Sequence, residues 1–165
     1  MVPCAILGDS LAAGVAAFRP DCLDDTKVGI STSAYLRAHT TTVDAETVLI
    51  SLGVNDGEAD PGTADRLAGL RMRITASRVF WILPARPGTI RQIVRDIAQA
   101  FGDRLIETRG YTGSDGLHLA PHTYRTIATL FDLPPTDLCC RSQAAPAERV
   151  GQGEMSLREA WVQRH

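Results

Sequence analysis

Apolar and polar positions divide the chain into two kinds of segment that alternate as far as residue 131. Short β-branched or aliphatic runs predict strands at residues 2–7, 26–28, 47–52, 78–83 and 104–107. Longer stretches, amphipathic or rich in alanine, predict helices at residues 11–18, 31–39, 64–75, 89–101 and 121–131. The pattern is therefore one of strands and helices in regular alternation.

Two of the predicted strands, Val48-Leu49-Ile50 and Val79-Phe80-Trp81-Ile82-Leu83, are apolar without interruption. Such strands are typical of a sheet that is covered on both faces. Right-handed crossovers between parallel strands place helices on the two sides of the sheet. We therefore expect an α/β fold with a mostly parallel, doubly wound sheet, whose active residues collect in the loops that follow the strands.

The composition changes after Pro134-Pro135. Residues 136–153 are polar and alanine-rich, without the period that would build a core. We predict one folded domain over residues 1–133 and a polar C-terminal arm over residues 134–165. Within the arm, residues 156–163 can form a short helix with Leu157, Ala160 and Trp161 on one face.

Charge and hydropathy narrow the classes of partner. The net charge of the 165-residue chain is −2, with acidic and basic residues scattered, so we do not expect it to bind nucleic acid. No apolar run approaches the roughly 20 residues of a membrane span. The N-terminus leads straight into the first predicted strand without a secretory signal, which favours a cytoplasmic location. Release by lysis, for instance of a phage-encoded protein, is also compatible with it. The sequence does not indicate an oligomeric state.

The four cysteines are Cys4, Cys22, Cys139 and Cys140. They lack the paired spacing of a zinc site and are too few for a disulfide scaffold. We therefore expect buried thiols, because free cysteine packs like a small hydrophobic residue. A redox-active vicinal pair, Cys139-Cys140, is the alternative.

The loop after the first predicted strand carries Gly8-Asp9-Ser10-Leu11. A serine at such a strand-to-helix turn can attack an acyl carbon while nearby backbone N–H groups receive the developing oxyanion. The same residues also form an ordinary helix N-cap. We expect Ser10 to be a nucleophile that also caps the helix.

Two further loops add groups that can stabilise an oxyanion. After the second predicted strand, Gly29 lets the backbone approach a ligand, or simply turns the chain into a helix capped by Ser31. After the third, Gly53-Val54-Asn55-Asp56-Gly57 offers the Asn55 side-chain NH₂ as a donor, or forms a common turn.

The last loop holds Ser114-Asp115-Gly116-Leu117-His118. Histidine suits proton transfer near neutral pH and needs a partner that fixes its tautomer. Asp115 can orient His118 through the backbone or directly, while His118 takes the proton of Ser10. The alternative is an ordinary turn with an unremarkable histidine.

Taken in order, these segments resemble the signature of the SGNH hydrolases, a branch of the GDSL esterases and lipases. They are Gly8-Asp9-Ser10-Leu11, the glycine segment around Gly29, Gly53-Val54-Asn55-Asp56 and Asp115-Gly116-Leu117-His118. The resemblance spans about residues 4–130, and the glycine segment is the loosest match. It implies a flavodoxin-like, three-layer α/β/α sandwich with about five parallel strands.

The resemblance also implies a role for each residue. Ser10 would be the nucleophile, His118 the general base and then acid, and Asp115 the group that orients His118. The oxyanion hole would consist of the Ser10 and Gly29 backbone N–H groups and the Asn55 side chain. No metal or organic cofactor is implied.

By the same analogy, Asp9 and Asp56 hold loops rather than take part in the chemistry. The predicted loops after the third and fourth strands are short, which suggests an open site for a small ester. We expect a serine esterase that acts on a short-chain acyl ester, with O-acetylated carbohydrates among the candidate substrates. The alternatives are an acyl-thioesterase or lysophospholipase-type activity, a nucleotide- or flavin-binding protein, and a weakly catalytic glycan-binding module of a larger assembly.

Three other residues attract attention. Arg86 lies in a loop with Pro84 and Pro87 and can meet an anionic group, although a lone loop arginine is usually solvated. His122 is expected at the start of the last helix in a structural or rim position. Trp81 is expected in the core.

Overall fold

Five parallel strands form one sheet in the computed structural model, which describes residues 1–40, 42–57 and 61–133. The strands are β1 (Val2–Gly8), β2 (Leu23–Thr26), β3 (Val43–Ser51), β4 (Ile74–Ile82) and β5 (Arg104–Ile106). The helices are α1 (Ser10–Ala16), α2 (Thr32–Ala38), α3 (Thr63–Met72), α4 (Thr89–Phe101) and α5 (Pro121–Ala128), followed by a 3₁₀ turn at Thr129–Asp132.

The strand order is β2-β1-β3-β4-β5. This is the doubly wound order in which β1 and β3 lie side by side and the chain changes direction between them. Helix α1 packs against α5, whereas α3 packs against α2 and α4, so helices form a layer on each side of the sheet. The predicted three-layer, flavodoxin-like α/β/α fold is confirmed.

The core lies along the three central strands, where both faces of the sheet are covered. Ile6, Leu49, Ile50 and Trp81 are completely buried, as uninterrupted apolar strands predict. Strands β3 and β4 begin earlier than expected, at Val43 and Ile74. Their first residues alternate between buried and exposed, so they lack the continuous apolar run that marks the rest of each strand.

Strand β2 lies outside the predicted range of residues 26–28. It consists of Leu23–Thr26 and pairs with β1 from Ala5↔Leu23 to Gly8↔Thr26. The prediction relied on Val28, which is 74% exposed in the turn before α2. An edge strand makes ladder hydrogen bonds on one side only and tolerates polar residues, so hydropathy is a weak guide to its position.

Cys4 and Cys22 are buried, as expected, but they form a disulfide rather than free thiols. The bond connects β1 to the residue immediately before β2. Sequence spacing did not predict it because the two residues meet only when these strands pair.

The compact unit that contains the sheet spans Met1–Phe131. The predicted arm at residues 134–165, its short helix and the Cys139-Cys140 pair lie outside the described residues. Among the described residues, none of the helices has the length and apolar character needed to cross a membrane.

Candidate active site

The turn between β1 and α1 depends on a glycine. Gly8 has φ +128°, and a Cβ atom there would lie 1.9 Å from the carbonyl oxygen of Ser51 on β3. The Asp9 N–H donates to the same carbonyl oxygen at 2.9 Å. Close backbone contact with β3 therefore fixes the point at which the chain leaves the sheet and begins α1 at Ser10.

Asp9, not Ser10, is the N-cap of α1. Its Oδ1 accepts hydrogen bonds from the Leu11 N–H at 3.0 Å and the Ser51 hydroxyl at 2.8 Å. The expectation that Ser10 caps the helix is wrong, because the carboxylate one residue earlier accepts the bond. Ser10 is the first residue of the helix, and its hydroxyl bonds to a different partner.

Asp9 is completely buried, with 0% exposure. Its Oδ2 atom has no hydrogen-bond partner in the described part of the chain. Burial raises the pKa of Asp9 to about 6, against the opposing effect of the bonds from Ser51 and Leu11. Asp9 holds the turn, as expected, but in an environment that disfavours its charge.

Ser10, His118 and Asp115 form a continuous hydrogen-bonded chain. The Ser10 Oγ lies 3.0 Å from His118 Nε2, and His118 Nδ1 lies 2.7 Å from Asp115 Oδ2. Because an ionised carboxylate only accepts, Nδ1 carries the proton of neutral His118 and Nε2 is left to accept the serine hydroxyl. The structure thus brings together the three residues that the sequence predicts as a triad.

The loop that carries Asp115 and His118 is held by its own hydrogen bonds. Asp115 Oδ1 accepts from the N–H groups of Leu117 and His118, both at 2.9 Å. The Gly113 N–H donates to the His118 carbonyl at 2.7 Å. Asp115 therefore orients His118 both through the backbone and through the ring.

Asp115 keeps its charge at any ordinary pH. The backbone hydrogen bond from Leu117 and the side-chain bond from His118 lower the pKa of Asp115 to about 2. The side chains of His118 and Asp115 are 44% and 51% exposed, so a substrate has access to them.

The two other predicted oxyanion donors lie near the same edge of the sheet. Asn55 Nδ2 donates one bond to the Ile30 carbonyl at 3.0 Å, and an amide NH₂ has a second hydrogen to offer. Gly29 has φ +75° in the adjoining turn, whose Lys27 N–H donates to the Gly8 carbonyl at 2.8 Å. No hydrogen bond joins Asn55 or Gly29 to Ser10 within the described residues, so their role as donors stays a prediction.

Asp56 holds loops, as expected. Its two oxygens accept from the Thr32 N–H at 2.7 Å and the Thr63 hydroxyl at 3.1 Å. These bonds connect the start of α2 to the start of α3. Ser31 caps α2 by accepting from the Ala34 N–H at 3.3 Å, as the alternative interpretation of the Gly29 segment predicts.

Sequence reasoning missed two residues that support the site. Ser51 holds Asp9, and its only signal is a polar residue at the end of an apolar strand. The Tyr124 hydroxyl accepts the Leu119 N–H at 3.1 Å. The Tyr124 ring also lies where a Cβ atom on Gly14 of α1 would come within 2.5 Å, so a helical glycine was the signal for this contact.

Potential metal ligands lie elsewhere. Within the described residues, the one group of three is Cys4, Asp21 and Cys22. The two sulfur atoms are bonded to each other and so do not offer thiolates to a metal.

In comparisons with known proteins, no family model matches the chain and no curated protein is significantly similar to it. The case for a function therefore depends on the residues and geometry described above.

Proposed function

We propose that this protein is a serine esterase of the SGNH type, which hydrolyses small or short-chain acyl esters through an acyl-enzyme. The observation that carries the proposal is the chain of hydrogen bonds from Ser10 through His118 to Asp115, at 3.0 and 2.7 Å. The order of the four sequence segments supports the same family. Short esters, including O-acetylated carbohydrates, suit a triad whose histidine is 44% exposed.

The reaction begins with proton transfer from Ser10 to His118. The serine oxygen bonds to the ester carbonyl carbon while His118 Nε2 takes the hydroxyl proton. Asp115 remains a carboxylate and stabilises the imidazolium, because its low pKa prevents it from taking the proton itself. Collapse of the tetrahedral intermediate breaks the bond to the leaving alcohol, which receives the proton from His118. Water then attacks the acyl carbon while His118 Nε2 takes one of its protons. Collapse of the second tetrahedral intermediate breaks the bond between the acyl carbon and Ser10 Oγ and releases the acid, and His118 returns the proton to Ser10.

The oxyanion needs donors that are in place before the reaction. We assign this role to the backbone N–H groups of Ser10 and Gly29 and to the second amide hydrogen of Asn55. The bond from Asn55 to Ile30 would fix the amide and connect it to the segment that carries Gly29. This chemistry requires neither a metal nor an organic cofactor.

For the location of the protein, the Cys4–Cys22 disulfide favours an oxidising compartment, where such bonds persist, over the cytoplasm.

Replacement of the nucleophile tests the proposal. We expect Ser10→Ala to abolish hydrolysis of p-nitrophenyl acetate and covalent labelling by a fluorophosphonate, with an unchanged circular dichroism spectrum. Ser114→Ala is the matched control, because Ser114 is exposed in the catalytic loop and should leave both signals intact. Unchanged turnover in Ser10→Ala would rule out the assignment.

The same assays separate the alternatives. A panel of acetylated sugars, short-chain esters and acyl thioesters distinguishes an esterase from a thioesterase. If the wild-type protein forms no adduct but retains an acylated glycan, a binding module is favoured instead. Nucleotide or flavin that copurifies with the protein would favour the nucleotide-binding alternative.

A further inference from the structure

A cavity of about 290 Å³ lies between the loop after β3 and the loop after β4. Val54 and Asp56, which flank Asn55 in sequence, belong to its wall. The opposite wall includes Pro84, Arg86 and Pro87. Because β3 is the neighbour of β1 and β4 lies beyond it, the cavity lies beside the Asn55 loop, on the side of β4.

The charged residues that line this cavity differ in whether their side chains already form hydrogen bonds or ion pairs within the protein. Both oxygens of Asp56 accept hydrogen bonds within the protein, from Thr32 and Thr63. Arg91 is buried and donates to the Pro84 carbonyl and to Glu107. Arg86, by contrast, is exposed and has neither a hydrogen bond nor an ion pair with any residue that the structure describes. Among the described residues that line the cavity, Arg86 is thus the cationic group available for a ligand.

The loop that carries Arg86 is restrained. Proline fixes φ at Pro84 and Pro87, which reduces the conformations open to the residues between them. The Arg109 side chain donates to the Ala85 carbonyl at 3.4 Å and connects this loop to the segment after β5. A guanidinium on such a loop loses less conformational entropy when it binds a planar anion.

We infer that the cavity between the β3 and β4 loops binds a carboxylate group of the substrate, with Arg86 as its partner. This inference rests on the proposed esterase function and names its substrate class: esters that carry a carboxylate on the part of the molecule that extends past Asn55. The carboxylate and the guanidinium can form two parallel hydrogen bonds, which is the geometry that favours arginine over lysine.

The test compares pairs of esters that differ in charge and little in size. One pair places the charge on the leaving group, with 4-acetoxybenzoate against 4-acetoxybenzamide. The other places it on the acyl group, with monomethyl adipate against methyl hexanoate. We expect wild-type protein to prefer the anionic member of one pair by about 10- to 100-fold in kcat/KM, mainly through KM. The pair that shows the preference identifies which part of the substrate enters the cavity.

Variants attribute the preference to Arg86. We expect Arg86→Gln to remove the preference while changing kcat/KM for the neutral esters less than about twofold, and Arg86→Lys to restore it in part. Arg73→Gln is the matched control. It removes one positive charge from an exposed residue directly before β4, at the opposite edge of the sheet, and should alter neither member of a pair.

The outcomes separate this inference from the proposed function. Turnover that depends on Ser10 but shows no preference in either pair overturns the inference alone, as does a preference that survives in Arg86→Gln. Equal losses on charged and neutral esters in Arg86→Gln also overturn it. Turnover that persists in Ser10→Ala overturns the proposed function itself.

Discussion

The two halves of the candidate triad are held in opposite ways. The β1–α1 turn that presents Ser10 is buried, and close contact between Gly8 and Ser51 fixes its backbone. The loop that presents His118 is half-exposed and is fixed by hydrogen bonds to Asp115. The position of Ser10 thus depends on close backbone packing, whereas the position of His118 depends on hydrogen bonds to a charged carboxylate.

Two aspartates make the same contrast. Burial raises the pKa of Asp9 to about 6, whereas hydrogen bonds from Leu117 and His118 lower the pKa of Asp115 to about 2. A carboxyl next to the nucleophile is costly to ionise, and the carboxyl behind the histidine is difficult to protonate. Both aspartates of these two short motifs hold backbone N–H groups, but only Asp115 also provides a carboxylate that stays charged near neutral pH beside His118.

The largest effect is expected from a substitution that removes the charge of Asp115, in the half of the site that holds His118. We expect Asp115→Asn to lower kcat for p-nitrophenyl acetate by about 10³- to 10⁴-fold. An amide that turns its oxygen toward the backbone N–H groups presents NH₂ to His118 and favours the tautomer that cannot accept the Ser10 proton. Steady-state kinetics provide the measurement, and a melting temperature close to that of wild type serves as the control. A loss below tenfold would mean that His118 is oriented without Asp115.

A second prediction concerns buried Asp9, in the half of the site that holds Ser10, and uses the pH dependence of the free energy of unfolding. An acid whose pKa is raised in the folded state contributes stability while it is protonated. The unfolded chain releases this proton near its ordinary pKa of 3.8, and the folded chain releases it near 6. The contribution of Asp9 to the free energy of unfolding should therefore fall by about 2 kcal/mol between pH 4 and pH 7. Asp9→Asn should remove this decline, since the amide does not titrate.

Urea unfolding at pH 4, 5, 6 and 7 measures the difference between Asp9→Asn and wild type. We expect the difference to shift with pH in favour of the variant. Asp115→Asn is the contrasting control, because its pKa is lowered in the folded state. The stability that Asp115 provides is present above its ordinary pKa of 3.8 and is lost as pH falls from there toward 2, so it should be nearly constant over this range. Parallel curves for Asp9→Asn and wild type would contradict the assigned burial effect.

The sequence predicts those features of the fold and the site that follow from local apolar patterns, and it does not predict those that depend on which segments meet in space. Uninterrupted apolar strands determined the layers, and the C-terminal ends of parallel strands meet at one edge, so the loops with Ser10 and His118 were expected to converge. The position of β2, the Cys4–Cys22 bond and the bond from Ser51 to Asp9 depend on which strands become neighbours. The cavity beside Arg86 depends on the spacing of two loops. Hydropathy does not encode either kind of information.

The smallest expected effect concerns the residue that connects the two halves. Tyr124 contacts α1 at Gly14 and accepts the Leu119 N–H at 3.1 Å, directly after His118. Tyr124→Phe keeps the ring but leaves a buried N–H without this partner, at a cost of about 1 kcal/mol in the free energy of unfolding. Because the loss falls beside the general base, we expect kcat to drop severalfold with little change in KM. Tyr111→Phe is the matched control, since Tyr111 is 55% exposed on the segment leading into the same loop. An equal effect in the two variants would show that the bond to Leu119 does not position His118, and that the two halves of the site are held independently.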